Sequence, residues 1–201
     1  FDERAVRVAA ALAIDRARVV ASLDAALGSA GPPSAPLGVP AWGPLPPTSW
    51  AYAADTPFPQ HAPARAAALL DAAGWQLRPG GERARNGTPL SVTLATNDDP
   101  LRRAAADAVA RDLRAVGFRV EVAVRPWEDL LREDLAPKRY QALLLGQWTP
   151  TADPDGLRDL WRSDGSANLA QWHHPGADDL LARAGAATDR AERRAAYAAF
   201  Q

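Results

Sequence analysis

The sequence predicts an α/β fold built on a parallel sheet, and three observations lead to this prediction. Short apolar or alternating segments of strand type occur at 90–95, 118–124 and 140–145. Amphipathic helical patterns lie between them, at 101–116 and 127–135. Strands that alternate with helices are joined by crossover connections, which place the strands parallel to one another.

The part of the chain before this sheet predicts helices on either side of an irregular segment. Apolar residues recur at helical spacing from Asp2 to Leu27, which indicates one long amphipathic helix that stops at Gly28. Residues 29–63 hold ten of the 18 prolines together with several aromatic residues. A disordered linker usually lacks aromatic residues, so we expect this segment to pack along the domain surface. Helical pattern resumes from Pro63 to Ala73.

The remaining connections and the end of the chain are also predictable. Residues 78–88, with Gly-Gly and Asn-Gly, indicate turns and a hairpin tip. Helices are expected at 155–161, 176–187 and 191–200, the last with Asp189 as N-cap in a capping box. We expect the chain, residues 1–201, to form a single α/β lobe that includes the proline-rich irregular segment.

Composition excludes several classes of function. The formal net charge is −1, which gives no electrostatic case for binding nucleic acid. The chain has no Cys, so disulfides, thiolate nucleophiles and Cys-bound metals are excluded. No apolar run approaches the ~18 residues of a membrane span, and no signal peptide is visible. Because the sequence begins at Phe1 without Met and stops at Gln201 within a helical pattern, we expect it to be part of a longer protein.

Motifs of catalysis and of cofactor binding are missing from the sequence. It has no Gly-x-Ser-x-Gly elbow, no dinucleotide fingerprint and no phosphate loop, so we expect neither an enzyme nor a bound cofactor. His173 and His174 are adjacent and point apart, which is unsuited to a shared metal. His174 precedes Pro175 at a helix start, and this position favours a capping or loop role.

Two groups of charged residues allow both a functional and a structural interpretation. Asp153 and Asp155 could act as paired carboxylates, but we favour a turn at Asp153 and a helix cap at Asp155. The arginine pairs at 102–103 and 193–194 are expected to lie on solvated helix faces.

A parallel sheet brings three loops to its carboxyl edge, where ligands of open α/β sheets bind. These loops are 96–99, 125–127 and 147–155. Trp127 and Trp148 lie in the second and third, and aromatic platforms with a few polar groups suit an organic ligand. The alternative for each Trp is a place in the core.

Five segments, in order and at matching spacing, resemble one family. They are the segments 2–16, 64–75, 89–94, 113–122 and 168–181. The chain is similar along essentially its whole length to the family 5 extracellular solute-binding proteins, the oligopeptide, dipeptide and nickel-binding group of ABC importers. The resemblance implies a fragment that is mostly the second, C-terminal lobe of a type II, bilobed periplasmic-binding-protein fold of the Venus-flytrap kind. This lobe has a mostly parallel sheet flanked by helices.

The resemblance also implies function, location and partners. The protein is expected to bind a small organic solute without chemistry and to deliver it to an ABC permease in the membrane, with no nucleic acid and no cofactor or metal involved. An extracytoplasmic location, periplasmic or at the cell surface, is implied, with a lipid anchor in the full-length protein. The solute is expected to be an oligopeptide, a saccharide or a glycoconjugate.

The strand-end motif of this family runs Trp-x-x-Asp-x-Asp-Pro-Asp, with the Trp lining the pocket. Trp148 matches that Trp, but Thr151 stands where the first Asp, which pairs with a peptide's free amine, is expected. A neutral hydroxyl cannot form a charge-assisted bond to an ammonium, and this favours a neutral ligand such as a saccharide or glycoconjugate. The expected ligand-binding residues are Trp148, Thr151, Asp153, Trp127, Asn97 and Asn168.

Two other functions remain open at this point. A non-transporting relative would serve either cell-envelope glycolipid assembly, as a lipoprotein, or a transcription regulator, as its sensing domain. An unrecognised hydrolase would show turnover that is lost on changing one Asp or His.

Overall fold

The computed structural model describes residues 2–28, 38–146 and 153–201, and the chain divides into two compact units. Unit 1 comprises Phe1–Pro40 and Pro59–Gly146. Unit 2 comprises Ala41–Phe58 and Gln147–Gln201. The single lobe expected over residues 1–201 stays a prediction.

Unit 1 contains five α-helices, a π-helix and six strands among its described residues. The helices are α1 (Arg4–Ala13), α2 (Arg16–Ala26), α3 (Pro63–Ala72), α4 (Pro100–Ala115), α5 (Trp127–Asp129) and the π-helix Leu130–Leu135. The strands are β1 (Gln76–Leu77), β2 (Arg83–Arg85), β3 (Thr88–Pro89), β4 (Ser91–Asn97), β5 (Arg119–Arg125) and β6 (Ala142–Leu143).

The first helical stretch is two helices rather than the single one that its apolar spacing predicts. Ile14 is extended, with φ −76° and ψ 120°, and ends α1. Asp15 then caps α2, since its carboxylate accepts hydrogen bonds from the backbone N–H groups of Ala17 and Arg18. The backbone N–H of Asp15 donates to a carboxylate oxygen of Asp112 on α4, at 2.8 Å. A capping Asp therefore interrupts an apolar pattern that continues on both sides of it.

The predicted parallel sheet is confirmed, in the order β5–β4–β6. β4 pairs with β5 along its whole length, from Ser91 opposite Arg119 to Asn97 opposite Arg125. β6 pairs with β4 over only two residues. Before β6 begins, the side-chain oxygen of Gln141 accepts the N–H of Thr93 at 2.8 Å and so replaces a strand partner.

A second, antiparallel sheet of β1, β2 and β3 extends the predicted hairpin. Asn86 and Gly87 join β2 to β3, and both have positive φ values, 52° and 80°. Asn-Gly is the pair that a two-residue hairpin turn prefers, because both of its positions require positive φ. The pairing of β1 with β2 was not expected from the sequence.

The core of unit 1 lies between the parallel sheet and its helices. Side chains of β4 and β5 belong to one buried cluster with those of α1, α3 and α4. The buried residues of this core include Val6, Leu12, Leu70, Val92, Leu94, Leu113, Phe118 and Val120. This packing holds the parallel sheet against its helices. It thereby also fixes the positions of the strand ends.

Unit 2 is helical in its described residues. Its elements are a 3₁₀ turn (Pro154–Leu157) followed by α6 (Arg158–Trp161), α7 (Pro175–Ala186) and α8 (Arg190–Phe200). The cap expected of Asp189 is present, because its carboxylate accepts the N–H of Glu192 at 2.9 Å. His174 caps α7 through Nδ1, which accepts the N–H of Ala177 at 3.1 Å, as the sequence favoured.

The proline-rich segment contributes to the interior of unit 2, where a surface position was expected. Leu45 and Ala51 are buried there with Leu181 and Tyr197. Trp50 meets Tyr197 edge-on, with ring centroids 6.5 Å apart. The reason is that a stiff, irregular backbone can still place apolar side chains against helices. Residues 29–37 of the segment lie outside the described residues.

Across residues 2–28, 38–146 and 153–201, no helix has both the length and the apolar character required to span a membrane.

Candidate functional site

The carboxyl edge of the parallel sheet brings together two residues predicted for the site. Asn97 ends β4 directly opposite Arg125, the last residue of β5. Trp127 begins α5 two residues later and is 47% exposed. An exposed indole and a strand-end amide therefore lie at one edge of the sheet, because parallel strands end on the same side.

Arg102, on the first turn of α4, lies at the same edge. Asp99 caps α4 and accepts the N–H of Arg102 at 3.0 Å. The Arg102 guanidinium then donates to Oδ1 of Asn97 at 2.8 Å. A Cβ on Gly146 would lie 2.9 Å from Nη2 of Arg102, so a larger residue there would make this guanidinium shift. The expectation that Arg102 lies on a solvated helix face is wrong, since its side chain is partly buried and donates to Asn97 at the end of β4.

A polar cleft of about 410 Å³ lies beside the sheet in unit 1. It is lined by side chains of β4, β5, the π-helix and the residues before β6: Thr93, Ala95, Ala123, Arg125, Asp134, Lys138, Arg139, Tyr140 and Gln141. Arg125 pairs with Asp134, 3.1 Å from Nε to Oδ2, and with Glu133. Burial raises the pKa of the Tyr140 hydroxyl, so that hydroxyl stays protonated at neutral pH. The cleft can offer hydrogen bonds to a ligand.

Asp153 in unit 2 has two structural roles. Its carboxylate caps the 3₁₀ turn by accepting the N–H of Asp155 at 2.9 Å. The same carboxylate binds both terminal nitrogens of Arg193, at 2.7 and 3.1 Å. The helix cap expected of Asp155 is therefore supplied by Asp153, because the turn begins one residue after it.

Asp155 pairs with Arg193 as well, and these residues form one connected group. Nη2 of Arg193 lies 3.0 Å from Oδ2 of Asp155, and the hydroxyl of Tyr197 donates to Oδ1 of Asp155. The guanidinium also lies over the ring of Trp50, 5.3 Å from its centroid. We call these five residues, Arg193, Asp153, Asp155, Tyr197 and Trp50, the Arg193 cluster. It corrects the expectation that Arg193 lies on a solvated helix face.

The charges in the Arg193 cluster stabilise one another. The hydrogen bonds from Arg193 hold the pKa of the Asp153 carboxyl below its ordinary value. The hydrogen bond to Asp153 in turn raises the pKa of Arg193. Burial, followed by the bond to Asp155, raises the pKa of Tyr197, which remains a hydroxyl donor. The Asp153 carboxylate is therefore ionised at neutral pH beside the Arg193 guanidinium.

Asn168 is 3% exposed and lies in the loop before α7. Its amide nitrogen donates to the carbonyls of Arg162 and Trp172, at 3.1 and 2.7 Å, and its oxygen accepts the N–H of Trp172 at 3.1 Å. These bonds shape the loop, and a role of Asn168 in ligand binding stays a prediction.

The predicted site residues fall into three groups. Asn97 and Trp127 lie at the sheet edge of unit 1, and Asp153 and Asn168 lie in unit 2. Trp148 and Thr151 lie outside the described residues. Sequence reasoning missed the contacts of Arg102 and Arg193. In the sequence, the only indications of these contacts were the Arg pair at 102–103, at a helix start, and the Arg pair at 193–194, on a helix face.

Comparison with known proteins identifies relatives along the whole chain. Residues 1–168 match the model of the bacterial extracellular solute-binding proteins, family 5 middle. Protein XP55 of Streptomyces lividans is 34% identical over 99% of this chain. The chain spans 35% of the length of that relative.

Two solved structures match the fold. The dipeptide-binding protein from Pseudoalteromonas sp. SM9913, in complex with Met-Leu, is 27% identical, with a TM-score of 0.79 over 100% of this chain and 37% of that chain. The oligopeptide-binding protein AppA from Bacillus subtilis, in complex with a nonapeptide, is 26% identical, with a TM-score of 0.79 over 100% of this chain and 39% of that chain. The expected fold, part of a type II periplasmic binding protein, is confirmed.

Proposed function

This chain belongs to family 5 of the bacterial extracellular solute-binding proteins, and from that premise we propose that it binds a peptide-like solute outside the cytoplasm without chemistry. The full-length protein then delivers the solute to an ABC permease. A lipid anchor in the full-length protein is part of the same proposal.

The observation that supports a peptide-like solute most directly is the similarity to a dipeptide complex. This similarity extends over 100% of the chain, at 27% identity. The second structure was determined with a nonapeptide, so the two bound ligands differ greatly in length. Thr151 favoured a saccharide or glycoconjugate in the sequence, but neither solved relative was determined with such a ligand. We therefore propose a peptide-like solute.

Within unit 1 we propose that Trp127 and Asn97, at the strand ends, contact the solute. For Trp148, Thr151, Asp153 and Asn168 a role in ligand binding is proposed for each residue separately. Trp127 supports the proposal best among the described residues, because it is 47% exposed directly after β5. An indole in that position offers a flat apolar surface to a ligand, and stacking on it needs no charged partner.

Calorimetry on the natural full-length protein tests this function. We expect Met-Leu or a longer peptide to bind and to remain intact by mass spectrometry. Trp127→Ala and Trp148→Ala should each weaken binding at least about tenfold, a change of 1.4 kcal/mol. Trp172→Ala is a matched control, because Trp172 is also exposed (38%) but is not among the proposed contacts.

Three results would argue against the proposal. Binding of neutral saccharides without binding of peptides would replace the proposed solute. Cleavage of the peptide, lost on changing one Asp or His, would indicate a hydrolase. Unchanged affinity in Trp127→Ala would remove Trp127 from the site while leaving the solute class in place.

A further inference from the structure

The contact between Arg102 and Asn97 indicates how the edge of the parallel sheet binds its solute. We propose that Arg102 is a positioning residue, which holds the Asn97 amide so that Nδ2 donates to a peptide carbonyl oxygen of the solute. This inference rests on the proposed function, because it assigns one hydrogen bond within the same strand-end site.

The chemistry of the two side chains fixes the orientation of the amide. A guanidinium carries donors and no acceptor, so the Asn97 atom that lies 2.8 Å from Nη1 of Arg102 has to be the amide oxygen. The amide nitrogen of Asn97 then points away from Arg102. Without Arg102 the amide could turn over and present its oxygen instead, and the sheet edge would lose a donor.

The amide nitrogen of Asn97 is available to a ligand. Asn97 is only 7% exposed, and in the described part of the chain no group accepts a hydrogen bond from its Nδ2. That nitrogen is also not one of the enclosed polar atoms without a partner there, so it reaches solvent. Because buried polar side chains are normally satisfied within the fold, an Asn that keeps one accessible donor points to a ligand.

Arg102 also makes this nitrogen a stronger donor. Among residues 2–28, 38–146 and 153–201, no carboxylate lies within ion-pair distance of the Arg102 guanidinium. Arg125, which lies opposite Asn97, is by contrast paired with Glu133 and Asp134. A cation that bonds to an amide oxygen polarises the amide, and its N–H groups then donate more strongly.

The stability of α4 does not account for this arginine. Arg102 lies in the first turn of α4, where the helix dipole disfavours a positive charge. Asp99 already caps the helix, since its carboxylate accepts the N–H groups of Leu101 and Arg102. The contact with Asn97 is therefore the favourable interaction that explains a guanidinium at this position.

The backbone that carries the two side chains is held on both sides. The hydroxyl of Thr96, next to Asn97, donates to the carbonyl of Leu144 at 2.8 Å. On α4, the cap by Asp99 holds the N–H of Arg102 at 3.0 Å. The amide is thus preorganised at the sheet edge, and a solute would not have to order it on binding.

The neighbouring charges favour a neutral acceptor over a carboxylate. Asp98 follows Asn97 directly and is exposed, and Asp99 is the cap of α4. Two acids beside one guanidinium make this edge unfavourable for a further anion. A peptide carbonyl is a neutral oxygen acceptor that every peptide carries, and it matches the N–H donor that Asn97 presents.

The experiment measures the binding of Met-Leu and of Met-Leu amide, which lacks the terminal carboxylate, by calorimetry on the natural full-length protein. Asn97→Asp replaces the donor with an oxygen of the same size and keeps the contact to Arg102. It should weaken the binding of both peptides at least about tenfold, because the solute carbonyl then meets another acceptor. A loss confined to Met-Leu would assign the bond to the carboxylate and overturn the inference.

Variants of Arg102 test its positioning role. Arg102→Met removes the donor but keeps a long side chain, and the affinity for both peptides should fall about fivefold because the amide is then free to turn. Arg102→Lys keeps a cationic donor and should restore most of that affinity. Arg103→Met is the matched control and should leave both affinities unchanged, since Arg103 is the exposed neighbour on α4.

A double-mutant cycle separates positioning from a purely structural role. If Arg102 acts through the amide, Arg102→Met should have no further effect on affinity once Asn97→Ala has removed that amide. If Arg102 only supported the fold, its loss would lower affinity by the same factor in both backgrounds, and this result would overturn the inference. Circular dichroism shows whether each variant is folded. If Arg102→Met is not, Asn97→Asp alone decides.

The failure of this inference is distinguishable from the failure of the proposed function. If the unaltered protein binds neither peptide, the proposed function fails and the inference fails with it. If the unaltered protein binds both peptides and Asn97→Asp leaves both affinities unchanged, the inference alone is overturned, because Asn97 then donates no hydrogen bond to the solute.

Discussion

Asp112 in unit 1 and Asp153 in unit 2 each pair with an arginine, but their burial is reversed. The Asp112 side chain is 1% exposed, and its partner Arg18 is 46% exposed. The Asp153 side chain is 43% exposed, and its partner Arg193 is 18% exposed. In unit 1 the acid is the enclosed member of the pair, and in unit 2 the base is.

The reversal matters because an enclosed charge that loses its partner is costly, whereas an exposed one is solvated by water. Asp112 also accepts the N–H of Asp15 at 2.8 Å, so it connects the start of α2 to α4. Its pair is therefore part of the fold. The acids of the Arg193 cluster reach solvent, so the loss of one ion pair there should have less effect on stability.

The largest expected effect follows from removing the exposed member of the unit 1 pair. Arg18→Gln leaves the enclosed Asp112 carboxylate without a counter-ion, and we expect unfolding free energy to fall by about 3 kcal/mol. Urea denaturation followed by circular dichroism measures this. Arg111→Gln, at an exposed arginine of α4 next to Asp112, is the control and should change the free energy by less than about 0.5 kcal/mol.

A second change sharpens the same test. Arg18→Gln with Asp112→Asn removes the uncompensated charge while keeping an acceptor for Asp15, so the double variant should be more stable than Arg18→Gln alone. Equal losses in Arg18→Gln and Arg111→Gln would show that the enclosed acid does not control stability, and the contrast between the two units would fail.

A smaller effect is expected from removing the acids of unit 2 one at a time. Asp153→Asn or Asp155→Asn leaves Arg193 with one carboxylate, and each should cost about 1 kcal/mol or less. Removing both leaves a mostly enclosed guanidinium without a counter-ion, and the loss should exceed the sum of the single losses. Thermal unfolding of the three variants measures this. Additive losses would mean that the two acids act independently.

The smallest effect is expected from titrating Asp153. Its folded-state pKa lies below the ordinary value of 3.8, so its contribution to stability is present above pH 3.8 and is lost as pH falls through the lowered value. The melting temperature of the unaltered protein should exceed that of Asp153→Asn by about 2 °C or less near pH 6, and this difference should disappear at lower pH. A difference that does not shrink as the pH falls below 3.8 would contradict the pairing.

The sequence predicts elements well where local pattern decides them. The alternation in β5 and the stripe of α4 with its stop at Gly117 match the observed bounds within a residue or two. The first helix was predicted as too long because apolar spacing continues through Asp15, whose capping bonds interrupt it. β6 was predicted as six residues but pairs over only two. Apolar character alone does not fix how far a strand stays paired.

The candidate site was predictable in position but less so in its contacts. Parallel strands place Asn97 and Trp127 at one edge, and this follows from topology. Arg193 and Asp153 pair although they are 40 positions apart in the sequence, so no local sequence pattern predicts this pair. Arg102 reaches back five residues to Asn97, which a helical pattern that begins at Pro100 does not predict.

Unit 2 is assembled from two segments of the chain, with all of residues 59–146 between them. Leu45 and Ala51 come from the earlier segment, and Leu181 and Tyr197 from the later one. Contacts that are distant in sequence incur the entropy of closing a long loop before they form. If the intervening residues fold first, this loop shortens. During synthesis the contacts of Leu45 and Ala51 with Tyr197 can therefore form only after residues 59–146 and α8 have emerged.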